Sequence, residues 1–139
     1  MSAYTTQASV EGRIAPPLLI NALDDGTSGG NLNTAVLNQI ISDVSAELDG
    51  YLASIYPVPW GVTVPPAVSE ACLTMVCSVI YGRRLSPGQS NPWLESAEKW
   101  RTEIENYGKG NGNLGPNFPR TFAPGFGVQE FVSFDMNTA

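Results

Sequence analysis

A chain of 139 residues is the size of one domain, and its 42% apolar residues suffice for one modest core. Charged residues make up 14%, against about a quarter in an ordinary soluble domain, so something besides water is expected to cover part of the surface. Seven Lys+Arg against thirteen Asp+Glu, with no basic cluster larger than Arg83-Arg84, exclude phosphate-backbone recognition, which needs concentrated positive charge.

The sequence has no histidine, so the commonest general base and metal ligand is missing, and with it the usual serine or cysteine triads and most zinc sites. The expectation is a protein that is not an enzyme and holds no cofactor or metal. The opening Met1-Ser2-Ala3-Tyr4-Thr5-Thr6 has neither the basic nor the apolar region of a secretion signal. No apolar run approaches the ~20 residues that cross a bilayer, so a soluble, cytoplasmic product without membrane contact is expected.

In chain order, a short helical block over 5–13 ends near Ala15, and Pro16-Pro17 opens a second through Leu18, Leu19, Ile20 and Leu23, since proline fits the first turn of a helix. Asp24-Asp25-Gly26-Thr27-Ser28-Gly29-Gly30 is acidic and glycine-rich. It lacks the alternating oxygen ligands and closing glutamate of a calcium loop, and is read as a solvated loop.

The strongest helix starts at Asn33 or Thr34, both capable caps, and repeats Leu37, Ile40, Ile41, Val44, Leu48, Tyr51, Leu52 and Ile55 on one face. Asn38, Gln39, Ser42, Asp43, Ser45, Glu47 and Asp49 form its polar face. Gly50 lies inside it at a cost of about 1 kcal/mol relative to Ala, which close approach of another backbone would explain.

Tyr56-Pro57-Val58-Pro59-Trp60-Gly61 is a proline-spaced turn. Pro65-Pro66 then begins a mostly apolar, central helix with Val68, Ala71, Cys72, Met75, Val76, Val79 and Ile80 on one face. Cys72 and Cys77, five positions apart, project about 140° apart around the helix, cannot pair with each other, and are read as small buried hydrophobes.

Asn91 and Pro92 are the expected cap and first residue of a last helix that buries Trp93, Leu94, Ala97, Trp100, Ile104 and Tyr107 and stops at Gly108. Its opposite face carries Glu95, Glu98, Lys99, Arg101, Glu103 and Glu105. The fold class that follows is all-α: a bundle of four to five helices over 1–110, with an extended arm over 111–139.

The arm holds all five phenylalanines, Phe118, Phe122, Phe126, Phe131 and Phe134. Aromatics are scarce in disordered linkers and common at interface hot spots, so these five are candidate partner-binding residues. Residues 128–134 have the composition of a short strand able to add to another chain's sheet edge. Folding of the phenylalanines back onto their own domain is the alternative. Prolines and glycines that space them as an extended chain would favour the arm, expected to be disordered beyond about residue 112 in the monomer.

Carboxylate pairs are the remaining catalytic option. Asp43 and Glu47 share a helix face at i, i+4, whereas Glu47 and Asp49 do not, and no supporting constellation accompanies either pair.

Three stretches together carry a resemblance: Ser42-Asp43-Val44-Ser45-Ala46-Glu47-Leu48-Asp49-Gly50-Tyr51-Leu52-Ala53, then Tyr56-Pro57-Val58-Pro59, then Val64-Pro65-Pro66 before an apolar helix. The chain resembles the head–tail connector (adaptor, or head-completion) proteins of tailed bacteriophages over about 4–115. The 24–31 loop is glycine-richer than that family's acidic loop, and the aromatic tail after Phe118 lies outside the likeness.

The resemblance implies a non-catalytic helical adaptor that forms a ring, of twelve copies, beneath the portal and joins the DNA-filled capsid to the tail. Its partners would be further copies of itself, the portal protein, and a tail or stopper/terminator protein, in the neck of the virion after assembly in the host cytoplasm. DNA would pass through without specific binding, and an acidic wall suits that passage. Asp43, Glu47 and Asp49 are candidate channel-facing acids, with the outer surface as their other placement. The rival reading is a monomeric helical module that uses the same arm on a soluble partner.

Overall fold

The computed structural model describes residues 3–26, 29–61, 63–83, 88–116 and 118–120. Five helices follow one another: α1 (Gln7–Glu11), α2 (Pro16–Leu23), α3 (Thr34–Leu52), α4 (Pro66–Gly82) and α5 (Leu94–Gly108), with no strand among the described residues. The fold is therefore all-α, as the proline spacing and apolar periodicity lead one to expect.

Local chemistry sets most helix starts. Thr6 accepts a hydrogen bond from the Ser9 N–H at 3.2 Å and caps α1, and Asn33 accepts from the Val36 N–H at 3.2 Å and caps α3. Such caps satisfy backbone donors that have no partner within the helix. Helices α2 and α4 have no side-chain cap; prolines at their first positions remove a donor instead.

Helix α5 departs from expectation, beginning at Leu94 with Trp93 as its N-cap residue. Asn91 is committed elsewhere. Its side-chain oxygen accepts from the Trp93 N–H at 3.0 Å, while its amide donates to the Ser78 carbonyl at 2.8 Å and the Ser78 hydroxyl at 3.3 Å. The asparagine thus ties the entrance of α5 to α4 rather than capping the helix.

Helix α4 is the centre and touches each of the other four helices. Val68, Ala71, Cys72, Leu73, Thr74, Met75, Val76, Cys77, Ser78 and Ile80 are all buried, so the burial goes almost all round rather than along one stripe. Val79, placed on the buried face from its spacing, is 38% exposed. A helix enclosed by neighbours has no polar side for periodicity to report.

On α3 the spacing holds. Leu37, Ile40, Ile41, Val44, Leu48 and Leu52 are buried, and Tyr51 and Ile55 flank them half-buried, Ile55 beyond the helix end. Ser45, assigned to the polar face, is fully buried, because the segment before α1 lies over it: the Tyr4 N–H donates to Ser45 Oγ at 3.2 Å.

Gly50 has open space where a Cβ would stand, so no backbone approaches it. The close approach is at Gly108 on α5, where a Cβ would lie 1.8 Å from the Tyr51 carbonyl oxygen. The Gly108 carbonyl also accepts from Ser54 Oγ at 3.1 Å, so the last turn of α5 rests on the end of α3.

Beyond α5, Gly110, Gly112 and Gly115 adopt φ of 90°, 104° and 129°, the left-handed side that glycine enters without strain. They turn the chain back onto the domain. Leu114 enters the core, its N–H donating to the Tyr56 hydroxyl at 3.3 Å, and Phe118 packs half-buried against it. Among the described residues the packing thus runs past 110, to Leu114 and Phe118. Phe122, Phe126, Phe131 and Phe134, and the 128–134 strand reading, lie outside the described residues.

Candidate functional site

The three acids expected near a channel sit in three different environments. Asp43 is exposed and accepts from the Gln39 amide at 2.8 Å. Glu47 is half-buried: the same carboxylate oxygen accepts from Arg101 Nε of α5 at 2.9 Å and from the Tyr51 hydroxyl at 2.5 Å. Chiefly through that bond to Glu47, and then through burial, the Tyr51 phenol is pushed up to about 12, so it keeps its proton. Glu47 fastens α3 to α5.

Asp49, also half-buried, accepts from the hydroxyl of the buried Tyr4. That hydroxyl in turn accepts from the Trp60 N–H at 3.2 Å. Tyr4 and Trp60 pack edge to face at 5.9 Å between ring centroids, with Tyr56 at 6.2 Å from Trp60. Asp49 therefore helps hold the segment before α1 and the 56–61 turn against α3.

Burial raises the Asp49 carboxyl above its ordinary value of 3.8, more than the Tyr4 hydrogen bond lowers it. A raised carboxyl pKa in the fold means the folded state binds the proton more tightly than the unfolded chain. Stability from this group is present at low pH and is lost as pH rises from 3.8 through the raised value. Asp49→Asn keeps an oxygen for the Tyr4 hydroxyl and carries no charge. It is expected to be at least as stable as the parent at pH 7, with its advantage shrinking as pH falls through the raised value toward 3.8; urea melts at pH 3, 5 and 7 check this, and a uniform loss at every pH would refute it.

Cys72 and Cys77 are buried and unbridged. Burial pushes both thiols up to about 11, so both keep their protons near neutral pH. Among the described residues no cluster of three or more Cys, Asp or Glu could hold a metal ion. Asp24 folds its carboxylate onto the Gly26 N–H at 2.8 Å, as turn-forming aspartates do.

What the molecule offers instead is a groove along α5. Near the start of the helix a cleft of about 400 Å³ is bordered by Arg13, Leu18, Tyr81 and Trp93, among others. A second, of about 310 Å³, lies between Lys99, Trp100 and Glu103, and Ser96 lines both. Trp93, Ser96, Trp100 and Glu103 recur at helical spacing, so the two clefts form one track along a single face. Trp93 and Trp100, expected to be buried, are half-buried, and Leu18 and Leu94 are 37% and 46% exposed.

This groove was missed by reading the α5 apolar stripe as core. The available signal was Ser96: a small polar residue between two tryptophans seven apart leaves a gap that neither ring fills.

Residues 4–123 match the family described as bacteriophage Mu, Gp36. The chain belongs to the bacteriophage Mu Gp36 family. No curated protein matches it. The Gp36-family match spans all five helices, the 56–61 turn, the groove and the first two phenylalanines, Phe118 and Phe122, which makes this a phage protein. Phe126, Phe131 and Phe134 follow the matched segment. No described helix is long and apolar enough to cross a membrane.

Proposed function

We propose that this Gp36-family protein is a structural, non-catalytic component of the virion: a head–tail connector adaptor. It forms a ring of twelve copies beneath the portal and joins the DNA-filled capsid to the tail. The observation that carries the reading is a phage-family five-helix domain whose last helix presents two half-buried tryptophans on an open groove. The sparse charge of the sequence is what a subunit flanked by neighbours needs, since interface cores are depleted in charged residues.

In this reading the partners are other copies of the chain, the portal protein above and a tail or stopper/terminator protein below. The site is the neck of the virion, reached after assembly in the host cytoplasm. DNA passes without specific binding. Of the three acids only Asp43 is exposed and available to a channel wall; Glu47 and Asp49 are occupied in holding the domain together. The phenylalanine arm grips the portal or the adjacent subunit.

The test is size and phenotype. At high concentration or with the portal, the protein is expected to sediment as a large symmetric ring, and a phage lacking it to accumulate DNA-filled heads without tails. A particle that stays monomeric or dimeric under both conditions would support a soluble binding module instead.

Replacing Phe122, Phe131 and Phe134 together by Ala is expected to leave the monomer's melting temperature unchanged. Docking should be abolished, because buried aromatic anchors typically contribute about 2 kcal/mol or more each. Normal assembly of the triple variant would remove the arm from the mechanism, and loss of folding would place those rings in the core.

A further inference from the structure

We propose that the α5 groove between Trp93 and Trp100 is the receptor for the phenylalanine arm, residues 121–139, of a second copy of this chain. The inference rests on the ring reading and names the contact that builds the ring.

Reach is the first argument. The Arg120 guanidinium donates to the Gly110 carbonyl at 2.9 Å and to the Gly112 carbonyl, so the described chain ends beside the C-terminal end of α5. At 1.5 Å per residue, Trp100 stands about 12 Å and Trp93 about 22 Å further up the helix from Gly108. Phe122 is two residues past Arg120 and reaches at most about 7 Å; Phe126, six residues past it, reaches at most about 21 Å. On its own copy Phe122 therefore falls short of both tryptophans and Phe126 spans the distance to Trp93 only when fully extended, whereas a neighbour's groove can meet the arm along its length.

Symmetry is the second. The arm follows the C-terminal end of α5 and the groove runs from Trp93 to Glu103, so a contact between copies made through them joins two different patches. Passed from copy to copy, such heterologous contacts generate closed rings when the rotation closes; reciprocal exchange of arms between two copies would give a dimer.

Charge is the third. The arm carries Glu130 beside Phe131 and Asp135 beside Phe134, and no Lys or Arg. The groove lining holds Arg13, Lys99 and one carboxylate, Glu103; the two cations are among seven in an acidic chain. Both now face exposed carboxylates, Arg13 with Glu70 at 3.1 Å and Lys99 with Glu95 at 3.7 Å. Surface pairs of that kind are weak and readily exchanged.

The experiment uses two full-length variants. Ser96→Arg fills the groove and leaves the arm intact, while F131A/F134A disables the arm and leaves the groove intact. Each alone is expected to keep the parent's circular dichroism and melting temperature and to stay monomeric at concentrations where the parent forms rings. Mixed, they should sediment as a 1:1 pair that grows no further, because one donor and one acceptor remain, with a blue shift of tryptophan emission. A synthetic peptide of residues 121–139 should bind the F131A/F134A chain and bind at least about tenfold more weakly once S96R is added, as removal of one hot-spot contact predicts.

Ring formation by either variant alone, or a parent that forms rings while the mixture forms no pair, overturns the inference and leaves the ring reading standing. Peptide binding that S96R weakens, in a parent that never forms rings, keeps the groove as the arm's receptor and overturns the ring. If parent and F131A/F134A differ in tryptophan emission independently of concentration down to the nanomolar range, the arm occupies its own copy's groove and the second-copy assignment is overturned.

Discussion

Gly108→Ala is expected to destabilise the protein by about 3 kcal/mol or more, at the upper end of overpacking costs, although alanine is the better helix former by about 1 kcal/mol. The added Cβ would stand 1.8 Å from the Tyr51 carbonyl oxygen and 2.9 Å from its carbon. Both are backbone atoms of α3, so no side-chain rotation relieves the clash, and α5 must lift off the end of α3. That movement would also stretch the Ser54–Gly108 hydrogen bond and the Arg101–Glu47 pair.

Gly50→Ala is the internal control. It too lies inside a helix, but nothing stands within 4 Å of its would-be Cβ, so it should stabilise by about 0.5–1 kcal/mol. Denaturation midpoints of the two variants are therefore expected to move in opposite directions. A Gly108→Ala protein as stable as the parent would show that the two helices do not meet there.

Leu48→Ala and Met75→Ala should each cost about 2–5 kcal/mol. Both side chains are fully buried, Leu48 on the inward face of α3 and Met75 on the central helix α4, where neighbours on several sides limit collapse into the cavity. At roughly 4 °C per kcal/mol for a domain of this size, the melting temperature falls by roughly 8–20 °C. Val79→Ala on the same helix α4 should change stability by no more than about 0.5 kcal/mol, because Val79 is 38% exposed. A large loss at Val79 together with parent-like melting at Met75 would mean that α4 is rotated about its axis.

Features that depend on chemistry within a few residues were legible along the chain. Asn33, Pro16-Pro17 and Pro65-Pro66 mark helix starts because caps and prolines act on the backbone beside them, and Leu37 through Leu52 mark a buried face because α3 has one side in the core and one in water. That the chain is a phage protein was also legible, carried by contiguous stretches within the segment that matches the Gp36 family.

Tertiary structure alone decided the rest, because each of those features depends on which distant segment comes to lie alongside. Ser45 is buried by Tyr4 from 41 residues away, and Asn91 leaves its capping role for Ser78 on α4. Helix α4 loses its polar side once four helices surround it. The glycine that admits another backbone is Gly108 rather than Gly50, since only the packing of α5 on α3 sets where two backbones touch. Leu114 and Phe118 join the domain because three left-handed glycines aim the chain back at Tyr56. The groove exists because Ser96 is too short to fill the gap between Trp93 and Trp100, and the packing of the domain leaves both rings half-buried beside that gap instead of in the core.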